Sequence, residues 1–202
     1  KKAAISITYD DATINQFRQA VPIMNELGIK GTFYINTADI PGSQFTPKFI
    51  GRPIAEIIKE TAHTPTTEEN LFERASAVRF LDIDNAVQLH NSAGSLFENG
   101  KVAESIAKVE EAFAEARKKK SFLEVKPVLL TGDLITWSEI KQFAAQGHEF
   151  GSHTISHPRL AVLDEPNLLY ELEKCKEEIL NQLGPEHTFS AECPFGTENE
   201  RV

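Results

Sequence analysis

Cysteine is scarce in this chain: Cys175 and Cys193 are the two present in 202 residues. Two thiols make no disulfide framework, and they do not report the redox compartment. No apolar run approaches the roughly 20 residues that a membrane span needs. Basic clusters are also rare. Arg117-Lys118-Lys119-Lys120 is the one that stands out, and it closes a helical pattern, where cations suit the helix dipole. With 30 acidic against 21 basic residues and a net charge of -9, the balance argues against nucleic acid and favours a neutral or cationic ligand. No signal peptide is visible. The chain opens at Lys1-Lys2 and enters an apolar segment at once, and a trimmed N-terminus would read the same way. Internal repeats and low-complexity segments are absent.

What is present suits one globular domain, or one domain with an insertion: 41% of residues are hydrophobic and 25% charged, enough for a sizeable core. Residues 3–9 are apolar and partly β-branched and read as a buried strand ending at Asp10. Residues 15–27 place Phe17, Val21, Met24 and Leu27 at helical spacing. Gly28 stops that helix, and Pro22 inside it predicts a kink. Residues 31–36 read as a second strand, which makes a βαβ unit and a parallel sheet. From 53 to 122 the β-branched runs vanish. Residues 68–79, 82–91 and 101–120 carry helical periodicity, with Ser92-Ala93-Gly94 and Asn99-Gly100 as breaks. In the last of these helices Val102, Ile106, Val109, Phe113 and Ala116 share a face. This stretch reads as a helical insertion packed beside the sheet.

Beyond it, Val128-Leu129-Leu130 suggests a short strand. Thr136 and Glu139 form a capping box for a helix that Gly147 ends. Residues 148–152 read as a strand leading into His153, residues 163–183 as a long helix, and residues 188–192 as a final strand. The strand count falls short of a closed parallel barrel.

Ligands of parallel α/β sheets gather at the C-terminal ends of strands, where Asp10-Asp11, His153 and Glu192 all fall. His153 and His157 have i, i+4 spacing, which on a helical turn puts both rings on one side. Two imidazoles and one carboxylate make a three-ligand metal site with a position left for water. Zinc accepts that set, as do Co, Ni and Fe(II). One carboxylate of the Asp10-Asp11 pair would bind metal and the other would stay free as general base. His148 reads as structural, His63, His90 and His187 as surface or packing residues, Trp137 as core or cap packing, and both cysteines as ordinary small residues.

These residues carry a family resemblance. The chain resembles polysaccharide deacetylases of the NodB-homology type (carbohydrate esterase family 4). Thr8-Tyr9-Asp10-Asp11-Ala12 is similar to the family's Thr-Phe-Asp-Asp-Gly. The run from Trp137 through His153-Thr154-Ile155-Ser156-His157-Pro158 resembles its second motif and the approach to it. Glu192-Cys193-Pro194-Phe195-Gly196 resembles its third, Arg-x-Pro-Tyr. The similarity covers about 3–40 and 125–202 and leaves the helical middle aside.

The resemblance implies a deformed (β/α) barrel as the catalytic domain, 1–202; the strand count makes it incomplete at the C-terminus, and the helical pattern of 53–122 reads as an insertion within it. It implies removal of an N- or O-linked acetyl group from a carbohydrate, with metal-activated water as nucleophile. Asp11, His153 and His157 would hold the metal, zinc before Co, Ni or Fe. Asp10 would be the base, and the backbone N–H of Phe195 would stabilise the oxyanion. A secreted or cell-envelope setting follows from the substrates of such enzymes.

Three departures stand out. Ala12 replaces a glycine, which a negative φ would tolerate. Glu192 replaces an arginine that orients the base; it would raise a nearby carboxylate's pKa unless it faces away or Arg159 or Arg201 compensates. The family's last two motifs, including a Leu-x-His, lie past Val202, and His187 precedes the third motif. A carbohydrate-binding pseudoenzyme on the same scaffold is the competing reading. A two-histidine, one-carboxylate iron oxygenase fits the βαβ pattern poorly.

Overall fold

The computed structural model describes residues 4–127 and 133–202. The strand expected at Val128-Leu129-Leu130 lies outside them. The fold is mixed α/β, with a parallel sheet and, among the described residues, seven α-helices. The chain divides into two compact units. One comprises Lys1–Pro47, Leu130–Pro158 and Leu168–Gly196, the other Lys48–Leu129, Arg159–Asn167 and Thr197–Val202.

The first unit contains the sheet, β1 (Thr8–Tyr9), β2 (Thr32–Ile35) and β3 (Glu149–Ser152), in the order β1-β2-β3. Register pairs Thr8 with Thr32, and Thr32 to Ile35 with Glu149 to Ser152. The first strand is shorter than its sequence suggests. β2 begins only at Thr32, so residues 4–7 have little ladder to join, and Ile5 is 90% exposed. The last predicted strand reduces to one parallel bridge, Ser152 to Ala191. Three strands and a bridge among the described residues do not complete a barrel.

The alternation of side chains in β2 sends Phe33 and Ile35 into the core, where both are fully buried. Phe33 is the hub of an aromatic cluster. Its ring centroid lies 5.0 Å from Tyr9, 5.0 Å from Phe17 and 5.6 Å from Phe150. Phe17, Val21 and Met24 come from the helical segment after β1 and are buried as the periodicity predicts. Leu27, at the frayed end of that helix, is 68% exposed. The segment is not uniform. A π-helical turn, Gln16–Ala20, precedes α1 (Val21–Glu26), with Pro22 in the first turn of α1. Proline has no N–H to give the preceding turn, and widening that turn accommodates it without breaking the helix.

The capping box on α6 (Trp137–Ala145) forms as read from the sequence. The Glu139 N–H donates to Thr136 Oγ1 at 3.3 Å, and the Thr136 N–H donates to Glu139 Oε2 at 3.0 Å. Trp137 is buried and donates its indole N–H to Ser43 Oγ at 2.9 Å, a packing role.

The second unit is helical: α2 (Ile54–Glu60), α3 (Leu71–Val78), α4 (Ala86–Glu98) and α5 (Val102–Ala116). Its core includes Ile57, Ile58, Val78, Val109 and Phe113. α4 runs through the break expected at 92–94. Gly94 serves packing there: a Cβ would meet Arg159 Cδ at 3.3 Å. Ser105 of α5 donates to the Ala93 carbonyl at 2.8 Å, so the two helices approach closely at small residues. Arg74 is fully buried and donates to the Thr64 carbonyl at 2.8 Å and hydroxyl at 2.6 Å, while its Nε has no hydrogen-bond partner. Removing those acceptors would strand a buried charge. Helix α7 (Glu165–Leu183) completes the elements.

His148 immediately precedes β3 and is buried. The Gly31 N–H donates to its Nδ1 at 3.3 Å, which places the ring proton on Nε2, 3.1 Å from Asn25 Oδ1. Burial, aided by the Lys30 charge, holds this imidazole below its ordinary pKa of 6.5. The folded state therefore binds fewer protons here than the unfolded chain. The contribution is fully present above the unfolded pKa and is lost as pH falls through the lower folded value. Thermal unfolding at about pH 7.5 and about pH 5 tests this: the wild-type loss of Tm on acidification should shrink in His148→Gln. An unchanged loss in the variant would contradict the assignment.

Candidate metal centre

The ladder between β2 and β3 does not stop at the strand ends. The His153 N–H donates to the Ile35 carbonyl at 3.0 Å, the Thr37 N–H to the Thr154 carbonyl at 3.2 Å, and the Ala38 N–H to the Ile155 carbonyl at 2.9 Å. His153 thus leaves the sheet with a fixed backbone. The next residues make a tight turn and not the helical turn that i, i+4 spacing suggests. Thr154 and His157 have φ of 70° and 54°, which a right-handed helix does not admit. The turn is closed locally by the His157 N–H on Thr154 Oγ1 at 3.0 Å and the Thr154 N–H on Ser152 Oγ at 3.2 Å. It still delivers the intended pairing, with ring centroids of His153 and His157 4.8 Å apart.

Asp11 meets them from the end of β1. Its Oδ1 lies 3.4 Å from His153 Nε2 and 3.2 Å from His157 Nε2. One ligand atom from each of the three falls within 4.8 Å of the others. Asp10, by contrast, stands outside this triad and is exposed, its carbonyl accepting from Gln16 Nε2 at 2.5 Å. Asp11 and Ala12 form a turn with φ of 69° and 50°. The negative φ that would make alanine harmless in place of glycine is therefore not what the backbone adopts. Ala12 carries the strain of a left-handed residue.

Glu192 faces the site and does not turn away. Its backbone carbonyl lies 3.1 Å from His153 Nδ1, and its carboxylate Oε2 lies 2.7 Å from the same nitrogen. The carbonyl acceptor on Nδ1 places the proton there and leaves the Nε2 lone pair toward Asp11, while Oε2 is close to the ring but outside hydrogen-bond geometry. Burial pushes the Glu192 carboxyl up; His153 opposes this, and the charges of Asp10 and Asp11 add to it. Arg159 pairs with Glu98, and Arg201 donates to the carbonyls of Ala161 and Leu163. Phe195 has φ of 63°, and its ring packs on His157 at 4.5 Å between centroids.

This donor set fits a divalent cation. Two imidazole nitrogens and a carboxylate oxygen converge within 4.8 Å of one another, with the Glu192 carboxylate 2.7 Å from the other ring nitrogen of His153. Such an arrangement needs positive charge at its centre. Borderline-soft nitrogen with one hard oxygen suits zinc, and also Co, Ni or Fe(II).

A family profile described as polysaccharide deacetylase matches residues 1–202, the helical middle included. The chain belongs to the polysaccharide deacetylase family. Membership supports hydrolysis of acetyl groups on carbohydrate. No curated protein and no solved structure matches it. Among the described residues, no helix is long and apolar enough to cross a membrane.

The other histidines of this deacetylase-family chain stand apart from the triad. His187 Nε2 lies 3.0 Å from the Phe150 carbonyl, and His90 Nδ1 lies 2.8 Å from the Ala75 carbonyl. Cys175 is buried, its thiol pushed up to about 11 by burial, and Cys193 is half-buried. A residue that sequence reading passed over is Glu171 of α7. Its carboxylate accepts from the N–H groups of Ile155 and Ser156, each at 2.9 Å, and from Ser156 Oγ at 2.5 Å. The sequence held a signal: Leu168, Glu171, Cys175 and Ile179 lie on one helical stripe, and a carboxylate on a buried stripe needs partners.

Relief of strain at Ala12 offers a test of the turn. A left-handed alanine costs about 1–2 kcal/mol, against about 0.5–1 kcal/mol for the extra freedom of glycine. Ala12→Gly should therefore raise the unfolding free energy by about 0.5–1 kcal/mol in urea denaturation. A decrease would mean that the turn does not hold φ positive in solution.

Proposed function

We propose that this protein is a metal-dependent carbohydrate deacetylase. The observation that carries the proposal is the convergence of Asp11 Oδ1 on Nε2 of both His153 and His157, at 3.4 and 3.2 Å. Asp11, His153 and His157 hold the cation, zinc before Co, Ni or Fe. When bound, such a cation polarises a carbonyl and lowers the pKa of water.

The chain's own residues supply the rest. Asp10, outside the ligand triad yet beside it in sequence, accepts the proton of the attacking water. Attack on the acetyl carbon places negative charge on the former carbonyl oxygen, and the backbone N–H of Phe195 donates to it. The left-handed backbone at Phe195 and Gly196, φ 63° and 62°, supports this role, because successive residues of that kind turn N–H groups toward one side. The C–N or C–O bond then breaks as the proton taken up by Asp10 passes to the leaving nitrogen or oxygen, releasing acetate and an amine or hydroxyl on the sugar. The Glu192 carbonyl keeps His153 in the tautomer that presents Nε2.

The substrate is an acetylated polysaccharide or oligosaccharide, and a secreted or cell-envelope setting suits it. Residues 53–122 are an insertion within the catalytic domain. A second reading, a carbohydrate-binding pseudoenzyme, is favoured by one observation: Glu192 brings a carboxylate to the position where the resemblance leads one to expect an arginine.

Paired assays separate these readings: metal content, and acetate release from acetylated chito-oligosaccharides and acetylated xylan. Asp11→Ala, His153→Ala and His157→Ala should lose metal and activity together. Asp10→Asn should keep metal and lose about 10²–10⁴-fold in kcat. Metal retention with full activity in either set would refute the roles. Sugar binding without acetate release from the metal-loaded wild type would favour the pseudoenzyme.

A further inference from the structure

We infer that Glu171 is a positioning residue that sets the geometry of the two metal-binding histidines from outside the site. The inference rests on the metal reading above and extends it to a residue of another element, helix α7.

The turn between His153 and His157 is an unfavourable piece of backbone. It carries two non-glycine residues with positive φ, of order 1–3 kcal/mol each, and such strain persists only where the surroundings over-determine it. It also turns the N–H groups of Ile155 and Ser156 toward the protein interior, where they need acceptors. Glu171 meets both with one oxygen, Oε2, at 2.9 Å each, while Oε1 takes the Ser156 hydroxyl at 2.5 Å. Glu171 is 4% exposed and Ile155 fully buried. A buried carboxylate gripping adjacent backbone N–H groups is a charge-assisted clamp, stronger than neutral hydrogen bonds. Its base is rigid. Glu171 sits within the long helix α7, whose Leu168, Cys175 and Ile179 are also buried.

The clamp fixes the chain midway between the two ligands. His153 is also held by the ladder bond to Ile35, and the backbone of His157 is tied into the turn itself by its N–H on Thr154 Oγ1. Loss of the clamp should therefore move His157 relative to His153 and Asp11. Glutamine at 171 keeps the shape but offers one neutral acceptor oxygen and presents an NH2 group to donors. Outer residues that orient ligands typically change metal affinity by about 10–100-fold.

The test is zinc affinity of the metal-stripped chain by competition with a chromophoric chelator, alongside the visible spectrum of the Co(II)-loaded protein and thermal unfolding. Glu171→Gln should melt cooperatively, bind zinc about 10–100-fold more weakly than wild type and show shifted Co(II) bands. A folded Glu171→Gln with wild-type zinc affinity and wild-type Co(II) bands would overturn the inference, since a merely structural carboxylate lowers Tm without moving either. Should Glu171→Gln not melt cooperatively, Ser156→Ala decides. It removes one donor of the clamp, and it should weaken zinc binding several-fold; unchanged affinity overturns the inference. Failure of the wild-type chain itself to bind zinc would instead refute the metal reading on which the inference stands.

Discussion

The hydrogen-bonded ladder between β2 and the chain that follows β3 is the constraint on which the site depends. It begins as ordinary parallel pairing from Thr32 to Ile35 and then continues past the strands, through Ile35, Thr37 and Ala38, into His153, Thr154 and Ile155. Phe33, Ile35 and Phe150 anchor it from below in a fully buried aromatic and aliphatic core. Burying side chains of that size contributes about 1.5–3 kcal/mol each. The imidazole of His153 is therefore attached to the most strongly held part of the first unit, while the carboxylates around it are partly exposed.

That anchoring matters because the site is built from unfavourable parts. Among the described residues, the non-glycine positions with positive φ are Asp11, Ala12, Thr154, His157 and Phe195, and every one lies in a segment that supplies or flanks a proposed functional group. Two carboxylates, Asp11 and Glu192, crowd two imidazoles, and the Glu192 carboxyl is pushed up by burial and by the charges of Asp10 and Asp11. Strained turns and concentrated negative charge persist only when packing and hydrogen bonds elsewhere impose them. Here the ladder and the Glu171 clamp do so, and a cation is the natural complement of what they assemble.

Much of this was readable from the chain. Residues 31–36 and 148–152 are short, apolar or aromatic runs with little competing helical pattern, and both became strands. The Thr136–Glu139 box announced α6 because its two hydrogen bonds are local. The convergence of Asp11 with His153 and His157 was readable because Asp11 and His153 each follow a strand-like run, and parallel sheets collect strand ends on one side. What escaped depends on tertiary detail. The His153–His157 spacing suggested a helix, whereas the turn is held by Glu171, a residue of another element. Gly94 looked like a break, yet close packing against Arg159 and Val162 keeps it inside α4. Whether Glu192 faced the site turned on a bend of the chain that no local pattern encodes.

The most direct measurement is anomalous diffraction from crystals of the zinc-loaded protein, collected on either side of the zinc absorption edge. The account predicts an anomalous peak bounded by Asp11 Oδ1 and the Nε2 atoms of His153 and His157. A zinc-loaded crystal with no peak among those three residues, or with zinc held elsewhere, would contradict it.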